Sequence, residues 1–82
     1  MPWWGKYLTN EIIKFQNENI PIIEYATRVK NLRQKINNYI NAERLYIGKL
    51  LYSRTIGQEE YQQLLVIVEY DRVKYHNLVN QR

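Results

Sequence analysis

Residues 21–54, PIIEYATRVKNLRQKINNYINAERLYIGKLLYSR, decide the fold. Ile22, Val29, Ile36 and Leu50 recur at one position of a seven-residue repeat, and Tyr25, Leu32, Tyr39 and Tyr46 at another, with Ile40 and Ile47 widening the stripe. That spacing predicts a helix packed lengthwise on another helix, because a 3.5-residue repeat keeps one apolar seam facing its partner. At 1.5 Å per residue the rod is roughly 50 Å long, more than a core of this size can wrap, so it needs a long partner.

Composition sets the bounds. The chain has 82 residues, enough for one small domain, and a thin hairpin of that length buries a low fraction of its surface. Association with copies of itself or with another chain is the natural remedy. Cysteine is absent and histidine occurs once, so disulfides and thiolate metal sites are excluded. Eight tyrosines stand beside two tryptophans and one phenylalanine, a composition of half-dry seams and interfaces. The net charge is +4, and the central stretch, residues 21–56, carries seven basic and two acidic residues. No run of about eighteen apolar residues exists for a membrane span, and the amino terminus lacks a signal-peptide h-region. The expected address is therefore the cytoplasm or a virion.

Outward to the amino terminus, MPWWGKYL places Trp3, Trp4 and Tyr7 in an aromatic plug, and Leu8, Ile12, Ile13 and Phe15 continue it as a short amphipathic helix within residues 1–19. Paired tryptophans are seldom left in water. Either the plug folds back and closes one end of the long helices, or it anchors in a partner's pocket or at a membrane surface. Glu11, Lys14 and Glu18 make the polar face mixed, which argues against lipid. Asn19 is the expected cap before Pro21, so the long helix spans residues 20–54. Thr55 with Gln58 reads as a capping box, Gly57 as a further cap, and Glu59 and Glu60 favour the positive start of a return helix over residues 58–80. Leu64–Val68 is β-branched enough to suggest a strand, but no second run exists to pair with it, so a helix is expected. Val66, Ile67 and Tyr70 then give this helix a second apolar side, and together with the plug they are the candidate partner-binding residues.

An antiparallel hairpin turning near Ile56 pairs Leu50 with Tyr61, Glu43 with Val68, Ile36 with Tyr75 and Leu32 with Leu78. Its polar exceptions cluster: Glu43 and Asp71 fall in the seam beside Tyr39 and Arg72. The expected arrangement pairs Arg72 with Glu43 and has Tyr39 donate to Asp71, a layer that fixes register or oligomeric state. A carboxylate metal or acid/base pair is the competing reading, but the inward Glu-x-x-His elements of two-metal bundles are missing. Arg28, Lys30, Arg33 and Lys35, with Arg82 at the open end, form a candidate basic patch that would face solvent, an acidic protein or nucleic-acid phosphates. Glycine occurs only at Gly5, Gly48 and Gly57, so no phosphate-cradling loop is built, and no nucleophile-base set exists. No cofactor is implied. Gly48, in mid-helix, is expected to permit close approach of a neighbouring helix.

The stretch YSRTIGQEEYQQLLVIVEYDRVKYHNLV, residues 52–79, resembles the turn and ascending helix of the long α-hairpins of TolC-type outer-membrane channel proteins, in its Ile-Gly turn, the Glu60-Tyr61 pair and Tyr75. The resemblance implies a helical hairpin only, since that family's β-barrel strands, second hairpin and signal peptide have no counterpart here. Small helical-hairpin proteins of archaeal viruses are similar in layout and composition. The expectation is thus an all-α single domain, a long antiparallel hairpin with a short amino-terminal helix, completed as a bundle by copies or a partner. Its expected role is a non-enzymatic structural or assembly component; the alternative is a small basic regulator or adaptor binding nucleic acid.

Overall fold

A computed structural model describes residues 2–80, and these are all-helical apart from turns: α1 over Gly5–Asn17, α2 over Ile22–Tyr52 and α3 over Gln58–Asn80. Arg82, assigned to the basic patch, lies outside the described residues. Leu64–Val68 is helical, as expected from its lack of a mate.

Each boundary has a local cause. Trp4 stands at the N-cap of α1 with no side-chain cap, and Leu8 N–H donates to its carbonyl at 3.2 Å. The helix stops where Glu18 turns extended, ahead of Pro21. Pro21 itself takes the N-cap of α2, with φ −60° and ψ 149° and no side-chain bond, so Asn19 does not cap as expected. Proline fits because the first-turn amide it lacks would have had no partner. At the other end Arg54 adopts a left-handed φ of 61°, and the amides of Thr55 and Ile56 turn back to the Leu50 carbonyl at 2.9 and 3.4 Å. This is the left-handed helix stop that usually falls to glycine. The Thr55 hydroxyl bonds Ser53 Oγ at 2.9 Å, so the expected capping box does not form; the Gly57 carbonyl receives the Tyr61 amide instead.

Helices α2 and α3 lie side by side in one antiparallel register. Arg33 reaches Asn80, Asn37 meets His76 at 3.0 Å and Arg44 meets Glu69 at 3.3 Å. In each pair the partners stand equally far on either side of Ile56 and Gly57. The buried residues of α2 are Leu32, Ile36, Ile40, Glu43 and Ile47, facing Val68, Asp71, Tyr75 and Val79 of α3. Their steps of four, four, three and four follow the 3.6-residue period of a straight helix, not a strict heptad. Hence Tyr46 and Ile22, expected in the seam, drift out into solvent.

The third helix, α1, lies over the open half of this pair, parallel to α3. Its face of Trp4, Leu8, Ile12 and Phe15 is wholly buried, at i, i+4, i+8 and i+11. Each such side chain contributes about 1.5–3 kcal/mol by leaving water. Phe15 stacks on Tyr25 at 5.0 Å, Gln16 donates to the Leu78 carbonyl at 2.7 Å and Lys35 grips Glu11 at 2.8 Å. The result measures 49 × 16 × 16 Å. With α1 only about 20 Å long against about 46 Å for α2, the turn half of the pair has no third helix.

Gly48 meets nothing within 4 Å of where a Cβ would stand, so no close approach within the chain requires it. Gly48→Ala should therefore raise the unfolding free energy by about 0.5–1 kcal/mol in denaturant titrations, through helix propensity alone. A loss of stability would show that the added methyl has met an atom.

Candidate functional site: the cleft beyond Trp3

The aromatic plug is built from two tryptophans with opposite fates. Trp4 is fully buried, its ring stacked on Tyr39 at 5.4 Å and 6° and tilted against Tyr75 at 4.7 Å. It sits halfway along the hairpin, not at its end. As a partner-binding residue Trp4 is therefore corrected: its surface is already spent on Tyr39 and Tyr75. Trp3 meets the same Tyr39 edge-on at 5.6 Å and stays 67% exposed, and Tyr7 is exposed as well.

Trp3 forms the rim of a cleft of about 240 Å³ that continues the line of α1 into the uncovered half. Its walls are Tyr46, Ile47, Leu64 and Ile67, and Glu43 and Asp71 lie in it. Both carboxyl groups are buried, with Glu43 only 9% exposed. The Trp4 indole faces Glu43 without closing a hydrogen bond of good geometry, so Trp4 Nε1 and Glu43 Oε1 are both buried and unpartnered. Burial pushes the Glu43 carboxyl above its ordinary range; the indole opposes this, and Asp71 adds to it.

The expected polar layer is corrected in one respect and placed in another. Glu43 and Asp71 do come together within the seam. Arg72 does not pair with Glu43; it turns along α3 and binds Glu69 through Nε at 3.0 Å, and Arg44 joins the same carboxylate. Arg72 and then Arg44 hold Glu69 below the usual carboxylate range. The sequence placed Arg72 beside the seam, but Glu69 lies one turn away on its own helix and needs no desolvation. Tyr39 uses its ring against the tryptophans, and no hydrogen bond from it to Asp71 forms among the described residues.

The basic patch disperses. Arg28 binds Glu18 at 2.9 Å and lies over the Phe15 ring, Lys35 binds Glu11, and Arg33 turns the other way to Asn80. Lys30 is exposed and joins no ion pair among the described residues. Residues two apart on a helix face nearly opposite ways, so a cluster in sequence is not a patch in space. On the back of α3, Val66 is 70% and Tyr70 67% exposed, and Val73, which sequence reading passed over, extends their stripe. Its i, i+4, i+7 spacing from Val66 was the available signal. Among the described residues no group of three or more acids and histidines could hold a metal ion, and no helix is long and apolar enough to cross a membrane.

The raised Glu43 carboxyl has a measurable consequence. A group whose folded-state pKa lies above its unfolded value stabilises the fold at low pH and loses that contribution as pH rises through the folded value. Glu43→Gln should thus raise the melting temperature at pH 7 in dilute protein, with the gain shrinking as pH falls through the carboxylate range. A constant difference across pH would mean that Glu43 carries no burial cost.

No family model, curated protein or solved structure matches this chain, so the likeness of residues 52–79 to TolC-type hairpins stays a local one.

Proposed function

We propose that this chain is a non-enzymatic structural or assembly component, a helical hairpin that packs with copies of itself as the building unit of a larger complex such as a virion or multisubunit particle. One observation carries the reading: Val66, Ile67, Tyr70 and Val73 expose an apolar stripe on α3 beside the open cleft, and nothing among the described residues covers it. Patches of that kind on a small protein mark interaction surfaces. A bundle completed between chains would also relieve the shortage of core in so thin a fold.

Nucleic-acid binding gains no support from the site, because Glu11, Glu18 and Glu24 answer Lys35 and Arg28 within the chain. The enzymatic reading gains none either, since among the described residues the cleft holds no serine, threonine, lysine or histidine beside the two carboxylates.

Light scattering coupled to size exclusion tests the proposal. The mass should rise with concentration to at least twice the 10.1 kDa of one chain, and Val66→Lys with Tyr70→Lys should return it to the single-chain value. One constant single-chain mass up to millimolar protein, with salt-sensitive retention on DNA, would replace the assembly reading with the regulator.

A further inference from the structure

The cleft is an acidic recess on a basic molecule. Glu43 and Asp71 are the charged residues in it, and no lysine or arginine lines it. The nearest bases on the two helices, Arg44 and Arg72, are already drawn to Glu69. Trp3 and Tyr46, both mostly exposed, stand around the opening, and aromatic faces of this kind favour a guanidinium. Glu43 Oε1 and Trp4 Nε1 are buried polar atoms with no bond partner at this place. A buried acid left so is costly until a cation or donor meets it.

Seven bases, Lys6, Lys14, Lys30, Arg33, Lys49, Arg54 and Lys74, join no ion pair among the described residues, and one of them stands at the tip of the turn. Arg54 is exposed at the tip of the turn, is held in the left-handed region at φ 61°, and joins no ion pair among the described residues. From Glu43 to Arg54 the uncovered half runs about 17 Å at 1.5 Å per residue. When two such halves overlap about a two-fold axis, each tip arrives where the other chain's α1 begins, at Trp3. The two shortages then meet.

We propose that the cleft is filled by the turn of a second copy of this chain, whose Arg54 seats between Trp3 and Tyr46 against Glu43 and Asp71. The two uncovered halves make a four-helix layer, and the isologous contact uses each cleft and each tip once. This assignment rests on the self-association proposed above.

Sedimentation equilibrium of the full chain and three variants tests it. Arg54→Gly suits the left-handed φ, so the isolated chain keeps or gains thermal stability at high dilution while its dimer dissociation constant rises by about tenfold or more, the cost of removing one buried charge contact. Arg54→Glu should weaken the dimer further, and Glu43→Gln with Asp71→Asn should weaken it with an unchanged helical circular dichroism spectrum. If the native chain dimerises and both Arg54 variants dimerise equally tightly, the cleft assignment is overturned while self-association stands. If the native chain stays single at every concentration, both fall together.

Discussion

The insertion of Trp4 between Tyr39 and Tyr75 is the contact on which the rest of the molecule depends. Two long helices in a thin pair cannot dry a full core by themselves, and the indole brings the largest apolar surface available to the chain into the place where they need it. It also fixes where α1 begins. Because Trp4 is the N-cap of α1, the helix must run from the middle of the pair toward the open end, and Leu8, Ile12 and Phe15 follow at helical spacing onto the same groove. The chain leaves the other half of the groove bare for the same reason.

That placement shapes the electrostatics. Arg28 and Lys35, on the side of α2 that α1 covers, find Glu18 and Glu11 within the chain. Surface pairs of this sort are worth about 0–1 kcal/mol each, so they orient α1 more than they hold it. At the other side of Trp4, Glu43 and Asp71 sit beside an indole N–H, with no lysine or arginine lining the cleft among the described residues. A seam position that would take an apolar side chain for stability holds an acid, and burying that acid costs stability.

Much of this was legible in the amino-acid order. The proline and the turn residues between Arg54 and Gln58 set the breaks between three helices, since they act through local backbone geometry. The approximate pairing of α2 with α3 followed from the apolar pattern, and so did the meeting of Glu43 with Asp71. What was hidden depends on competition. A heptad and a 3.6-residue stripe agree over two turns and diverge over eight, so Tyr46 was misplaced while Leu32 and Ile36 were not. Arg72 binds Glu69, the more exposed carboxylate one turn away on its own helix, which asks for less desolvation than the buried Glu43. Which of two adjacent tryptophans would be buried turned on the entry angle of α1, a tertiary quantity with no local signature.

Hydrogen exchange on the native chain and Trp4→Ala, both at a concentration below association, tests the central dependence most directly. Loss of a buried indole costs about 3–5 kcal/mol, so residues 5–17 should lose nearly all protection while amides around Gln58–Val68 change far less. Protection of α1 that survives the substitution intact would contradict the account, because the helix would then be held by contacts other than the tryptophan wedge.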